Sequence, residues 1–298
     1  QKAATLAPRI ISLSKQLNFR EGEYKGGNIL GYSMILKGQT KDAMRLLLQY
    51  VNQNESPVDK IRTLSLLAYV HLQAGLQTSE ALRFLLQAKE ILDRLPDDTP
   101  TYYDMQVALY TNMAMAYSSD GKYKQALEYD LKGLKTVQNK FIKNQENTKY
   151  QVSKLMLSIG IDYLDLNNTE KAIQYLRMGL QFVKKHRMPF DFPNYYTKLS
   201  EVYIKQKQFK EALRYLDEMA KEVEINKMET AQQDLYYKFS AQIQESLGNY
   251  KKAYQIKSKH MAFKDSLSIQ NKEISKLTTK YRAQQKEQKI AQLQQEKK

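Results

Sequence analysis

A long internal repeat constrains the fold of this 298-residue chain more than any other feature. Segments 109–134 and 155–180 align without a gap, so that Ala114 falls over Gly160 and Ala126 over Ala172. A repeat of this length with small residues at fixed places is typical of stacked supersecondary units, each of which buries its apolar face only against its neighbours. The pattern predicts a repeating pair of antiparallel helices.

The same spacing recurs in segments 28–47, 196–216 and 237–257, and with one extra loop residue in segment 64–88. Each of the six units carries an alanine early in its second helix, and the series is Ala43, Ala81, Ala126, Ala172, Ala212 and Ala253. Six units in phase indicate an all-α array.

Small residues and turn residues recur where two close helices need them. Two helices approach closely only where side chains are small, which predicts helix crossings at Gly31, Ala114, Gly160 and Ser200, opposite the alanine series. Left-handed turn positions favour glycine and tolerate asparagine. We therefore expect the turns at Gly38, Gly75, Gly121 and Gly248, with Asn167 and Lys207 in the other two units.

These residues resemble the tetratricopeptide repeat, whose pattern has small residues at the helix crossing, a late aromatic in the first helix, a turn glycine and an early alanine in the second helix. The resemblance covers residues 22–262. It implies a right-handed α-solenoid of about six helical hairpins, preceded by a half-repeat in residues 1–21 and followed by a long helix in residues 263–298.

The composition excludes several kinds of chemistry. The chain has no cysteine, three histidines and no phosphate-binding glycine motif, so we predict no cofactor, no metal site and no enzymatic activity. His71 falls at the repeat's aromatic position, and His186 and His260 stand alone in the sequence. The net charge of +15 comes mostly from lysines spread over every predicted helix, which indicates solvated helix faces and no specific nucleic-acid site.

A solenoid of helical hairpins lines its groove with first helices, which suit peptides or partner helices. The chain lacks the Lys-then-Asn pair by which chaperone-binding members of the family clamp a terminal carboxylate. Tyr32 and Tyr69 occupy equivalent positions, either as binding anchors or as packing between first helices. The family's groove positions select Asn28, Tyr32, Arg62, Ser65, Tyr69, Gln73, Thr111, Met115, Ser118, Lys154, Asn194, Thr197, Glu201, Lys238 and Gln242.

The two ends of the chain differ from the repeats. Residues 8–20 carry apolar side chains at helical spacing, like the second helix of a repeat. After Phe263 the chain lacks Pro and Gly, and Leu267, Ile274, Leu277 and Tyr281 keep a seven-residue rhythm. This pattern predicts a long helix in the region. The helix is either exposed to solvent or pairs with a second copy in a homodimeric coiled coil.

The order of repeats, the Phe263–Leu267 junction and a Lys/Gln/Glu-rich helix looks like the sensory part of bacterial membrane-bound histidine kinases and DNA-binding regulators. This resemblance implies a protein- or peptide-binding input domain on the periplasmic side, followed by a membrane span downstream of the chain. The alternatives are a cytoplasmic adaptor that holds partners together and a nucleic-acid-associated regulator that uses the positive charge. No stretch of the chain itself approaches the length of a transmembrane helix.

Overall fold

The computed structural model describes residues 2–53, 56–73, 78–99, 101–139, 145–188 and 191–268, and these residues are helical apart from short connections. Thirteen helices lie in these ranges. They are α1 (Lys2–Gln16), α2 (Arg20–Leu36), α3 (Thr40–Gln53), α4 (Pro57–Gln73), α5 (Thr78–Asp93), α6 (Tyr102–Ser119), α7 (Tyr123–Asn139), α8 (Gln145–Asp165), α9 (Thr169–Lys185), α10 (Phe192–Lys205), α11 (Phe209–Glu222), α12 (Thr230–Ser246) and α13 (250–268).

The helices pair as the repeat predicts, and the all-α solenoid prediction is confirmed at the level of its repeating unit. The hairpins are α2–α3, α4–α5, α6–α7, α8–α9, α10–α11 and α12–α13. The chain divides into two compact units, with unit 1 ending at Asp191 and unit 2 beginning at Phe192. The repeat pattern runs through residues 22–262, so the sequence does not indicate this division and only the structure shows it.

The turns within the hairpins share one backbone conformation. Gly38, Gly121, Asn167, Lys207 and Gly248 all have positive φ, between 58° and 77°. In each turn the next residue donates its backbone N–H to the carbonyl five residues earlier, as in the bond of 2.9 Å from Lys122 to Tyr117. This is the Schellman motif that satisfies carbonyls at a helix end. Gly75 lies outside the described residues.

The alanine series lies where the helices cross. Ala43, Ala81, Ala126, Ala172 and Ala212 are fully buried, and Ala253 is 1% exposed. The Ser200 hydroxyl donates to the Ala212 carbonyl at 3.2 Å, which shows how closely α10 approaches α11. A Cβ atom at Gly160 would lie only 2.7 Å from Cγ of Leu176, so α8 and α9 depend on a residue without a side chain there.

The N-terminal helix lies within residues 1–21, where a half-repeat is expected. It spans Lys2–Gln16, and Pro8 lies inside it. Asn18, just after α1, takes the left-handed conformation, with φ of 50°. The helix packs on α2 within unit 1, as a half-repeat would. Most of the predicted C-terminal helix lies outside the described residues, which reach 268.

Candidate functional site: a groove lined by the first helices of unit 1

The first helices of unit 1 enclose a groove of about 590 Å³. Because α2, α4, α6 and α8 are the first helices of four hairpins, equivalent faces of the repeat supply its walls. The lining residues are Asn28, Ile29, Tyr32, Ile61, Arg62, Ser65, Leu66, Tyr69, Thr101, Asp104, Met105, Ala108, Asn112 and Lys154.

A buried polar network fixes one wall of the groove. Asp59 is 1% exposed, and its side chain accepts a hydrogen bond of 3.2 Å from Nη1 of Arg62. Nη2 of Arg62 reaches Oγ1 of Thr101 at 3.3 Å, which links α4 to the start of α6. The Thr63 hydroxyl donates to Oδ1 of Asn28 at 2.8 Å, so Asn28 is held against α4. Arg62 and Asn28 are therefore oriented before any ligand arrives.

Two tyrosines form the aromatic part of the groove. The ring centroids of Tyr32 and Tyr69 lie 6.5 Å apart, and the two rings are tilted by 39°. Tyr32 is nevertheless 47% exposed. Burial raises the pKa of the Tyr69 phenol, and the neighbouring hydroxyls of Tyr32 and Tyr150 contribute to this rise. The rings pack between adjacent first helices and also line the groove, so the packing interpretation is observed and the binding role stays a prediction.

Asp104 is an acid in an otherwise apolar and basic part of the lining. It lies in the first turn of α6, next to Met105, and its Oδ1 atom is buried without a hydrogen-bond partner in the described part of the chain. Burial raises the pKa of the Asp104 carboxyl, while the guanidinium of Arg62 opposes the rise. Desolvation therefore outweighs the attraction to Arg62.

Lys154 lies at the groove edge, exposed on α8, and close to a pair of buried acids. Asp130 is fully buried and Asp162 is 2% exposed. Burial raises the pKa of Asp130 to about 7, and burial together with the Asp130 charge raises that of Asp162 to about 8. The ammonium group of Lys154 favours the ionised form of Asp130. Burial and the repulsion between two carboxylates therefore favour protonation of this pair at neutral pH.

The structure brings six of the predicted groove residues together: Asn28, Tyr32, Arg62, Ser65, Tyr69 and Lys154. On α6 the predicted residues Thr111, Met115 and Ser118 do not line the groove, whose α6 wall consists of Asp104, Met105, Ala108 and Asn112. Adjacent residues on a helix point about 100° apart, so a shift of one position selects a different face. The hydroxyl of Thr111 bonds instead to the Val107 carbonyl, at 2.9 Å. The side chain of Gln73 lies outside the described residues.

The other five predicted residues lie in unit 2. Oδ1 of Asn194 accepts a bond of 3.0 Å from Gln232, and the buried Thr197 hydroxyl donates to the Pro193 carbonyl at 2.7 Å. Glu201 pairs with Lys198 at 2.9 Å, which holds the pKa of this carboxyl below its ordinary value against the effect of burial. Lys238 and Gln242 are exposed on α12. Three of these five residues thus already have polar partners within unit 2.

The histidines serve packing and pairing. His71 contacts the ring of Phe84 with centroids 5.7 Å apart, and His186 contacts Phe182 at 4.4 Å. His260 is not isolated as the sequence suggested, because its Nε2 lies 2.7 Å from Oδ1 of Asp234. Helices α12 and α13 bring together residues that are 26 positions apart. Across the ranges described, no three His, Asp or Glu side chains cluster as metal ligands would.

Sequence reasoning missed Asp104 and Asn112, which face the groove eight positions apart on one side of α6. The available signal was the spacing of 104, 108 and 112, which places three residues on one helical face. An acid in the first turn of a helix is usually explained by the helix dipole, so the residue type alone does not indicate a groove position.

The comparisons agree with this architecture. The family model described as "Tetratricopeptide repeat" matches residues 107–140, which include most of α6 and all of α7. The match falls on the hairpin α6–α7 and identifies a tetratricopeptide repeat there, and the other five hairpins follow the same pattern. No curated protein matches the chain significantly.

Several solved structures share the fold at low sequence identity. The apo form of RapI aligns with a TM-score of 0.64 and 18% identity over 88% of this chain and 69% of that one. A Rap protein complexed with competence and sporulation factor aligns with a TM-score of 0.56 and 14% identity, over 90% of this chain and 86% of that one. A signal transduction ATPase with a tetratricopeptide repeat sensor, from Pyrococcus horikoshii, aligns with a TM-score of 0.61 and 16% identity, over 89% of this chain and 45% of that one. These likenesses concern the fold alone.

Proposed function

We propose that this protein is a non-catalytic binding module that holds a peptide or an extended segment of a partner protein in the groove of unit 1. The single observation that carries the proposal is the convergence of preoriented polar groups and half-exposed aromatic rings from four consecutive first helices. Tyrosine offers a large contact area with few rotatable bonds, and residues of this kind dominate many binding interfaces.

The size of the groove fits a short peptide. Asp104 and Asn112 both line it and are eight residues apart on α6, which corresponds to about 12 Å along the helix axis. An extended chain advances about 3.3 Å per residue, so roughly four residues would span this length. Lys154 offers an exposed ammonium group at the edge, where it would attract an acidic group of the ligand.

Selection from a random-peptide display library on the immobilised full chain tests this proposal. We expect enriched peptides whose affinity falls at least tenfold in Tyr32→Ala or Lys154→Glu. Tyr250→Ala and Lys135→Glu are matched controls, because both residues are exposed and lie outside the groove lining. Peptides that bind all four variants as tightly as the wild type would place the site elsewhere, and Lys238→Glu would then test unit 2.

Two settings for this module follow from the sequence, and the adaptor has more support. The chain covers most of the Rap protein that was solved in complex with competence and sporulation factor, which supports a module that binds a partner. The sensor setting is supported by the likeness to the sensor-bearing ATPase from Pyrococcus horikoshii. None of the helices in the described ranges combines the length and apolarity that a bilayer crossing requires.

The finer parts of these settings remain predictions. The gene sequence downstream of Lys298 tests the extracytoplasmic sensor, which requires a membrane span there. Light scattering of the purified chain tests the homodimer through the C-terminal helix. Nucleic-acid binding through the +15 charge would weaken steeply with added salt, which a titration between 50 and 200 mM salt would reveal.

A further inference from the structure

Asp104 is the groove residue whose polar group is least satisfied. Its Oδ1 atom is buried and has no hydrogen-bond partner in the described part of the chain, whereas Arg62 bonds to Asp59 and Thr101, and Asn28 bonds to Thr63. A buried carboxylate oxygen without a donor costs free energy that a bound donor would recover. The unliganded groove therefore has in its wall a carboxyl oxygen that no donor of the described residues satisfies.

The position of Asp104 in the first turn of α6 does not account for this arrangement. An acid there stabilises the helix dipole equally well when it points to water. Here the carboxyl group is partly buried instead, and burial raises its pKa despite the nearby guanidinium of Arg62. Oδ1 of Asp104 receives no hydrogen bond from Arg62, whose two terminal nitrogens bond to Asp59 and Thr101.

From this geometry, and on the basis of the function proposed above, we propose that the groove selects ligands that place a positively charged nitrogen against the carboxylate of Asp104. The nitrogen would come either from a Lys or Arg side chain or from the amino terminus of the peptide. Tyr32 and Tyr69 line the same groove, and aromatic faces attract cations as well as apolar side chains. Asp104 would thus be a residue that determines specificity.

The matched variant for this proposal is Asp104→Asn, which keeps the shape and removes the charge. Asp98→Asn is the control, because Asp98 is exposed, lies outside the groove lining and loses the same charge. Binding of synthetic peptides from the display selection is measured by calorimetry for the wild type and both variants. Each peptide is compared with a form whose basic residue is replaced by norleucine and with a form whose amino terminus is acetylated.

We expect removal of the charged nitrogen to weaken binding at least tenfold in the wild type and in Asp98→Asn, but less than threefold in Asp104→Asn. The form that loses affinity, norleucine or acetylated, identifies the source of the nitrogen. A purely structural role for Asp104 would lower thermal stability in Asp104→Asn while leaving the discrimination intact, which would overturn the proposal.

Failure of this inference differs from failure of the proposed function. Peptides that depend on Tyr32 but contain no required cationic nitrogen would overturn the role of Asp104 and leave the groove as the binding site. Peptides whose affinity does not depend on Tyr32 or on Lys154 would overturn both.

Discussion

Hairpins α6–α7 and α8–α9 align without a gap, yet they fill one buried position with opposite chemistry. Four residues after the alanine, α9 has Leu176, which is fully buried, and α7 has Asp130, which is also fully buried. Three other hairpins resemble α8–α9 in this respect, because they have Leu47, Leu85 and Leu216 at the equivalent position. The repeat therefore specifies burial at this position, whereas the residue placed there decides how burial affects stability.

The adjoining helix explains how α7 accommodates an acid. Asp162 on α8 is buried like Asp130, and the raised pKa values of both carboxyl groups favour protonation, which reduces their repulsion. The side chain of Leu176 instead packs against Gly160 of α8, and this glycine has no side chain that could donate a proton or a hydrogen bond. The same backbone thus supports an apolar contact in one hairpin and a protonated acid pair in the other.

The largest expected effect comes from placing an acid in the apolar hairpin. Leu176→Asp removes a buried aliphatic side chain and buries a carboxyl group without a partner acid, so the free energy of unfolding should fall by about 4 kcal/mol or more. Urea denaturation followed by circular dichroism measures this loss. Gln174→Asp is the control, because Gln174 is exposed on the same helix and should lose little. Equal stability of the two variants would contradict the comparison.

A methyl group at the crossing of α8 and α9 should also destabilise the fold. Gly160→Ala places a Cβ atom 2.7 Å from Cγ of Leu176, and the overpacking should cost about 1–3 kcal/mol. Helix propensity alone would have the opposite sign and favour alanine by about 1 kcal/mol. The free energy of unfolding from urea denaturation therefore decides between the two: a decrease indicates tight packing at the crossing, and an increase indicates a loose crossing.

The acid pair should make stability depend on pH. Asp130 and Asp162 have pKa values raised above the ordinary 3.8, so the native state holds a proton that the unfolded chain releases. The free energy of unfolding should therefore decrease as the pH rises from about 4 to about 8. Asp162→Asn removes one of the two raised pKa values, so it should make the decline shallower, while the burial of Asp130 keeps part of it, and should leave the variant about 1 kcal/mol more stable than the wild type at pH 8.

Denaturation at pH 5 and pH 8 measures this effect. Asp98→Asn is the matched control because Asp98 is exposed, and it should keep the slope of the wild type. Parallel stability curves for Asp162→Asn and Asp98→Asn would show that the acid pair does not control the pH dependence.

The smallest effect concerns the turns of the same two hairpins. Gly121 and Asn167 both have positive φ, of 72° and 58°, but only asparagine carries a Cβ atom that strains this conformation. Asn167→Gly should raise the free energy of unfolding by about 0.5 kcal/mol, because part of the gain is offset by the flexibility of glycine in the unfolded chain. Gly121→Asn should lower it by a similar amount, and changes of the same sign in both variants would be inconsistent with equivalent turns.

Much of the fold and part of the site could be predicted from the sequence. The turns at Gly121, Asn167 and Lys207 follow from the repeat, because local sterics limit which backbone conformations suit them. The predicted residues Asn28, Tyr32, Arg62, Ser65 and Tyr69 line one groove, whereas the α6 residues that line it differ from the predicted ones by about one position. Periodicity fixes a helical face only to within the 100° between adjacent residues, and neighbouring helices decide which residue faces the groove.

The amino-acid sequence by itself determined the hairpins, their turns and their close crossings, because helix periodicity, left-handed turn residues and small side chains act over a few residues. Only the tertiary structure decided that Asp104 faces a groove, that Asp130 meets Asp162, and that the chain divides after Asp191. These features depend on contacts between residues far apart in the chain. Their energies arise from burial and charge, which do not exist until the helices have packed.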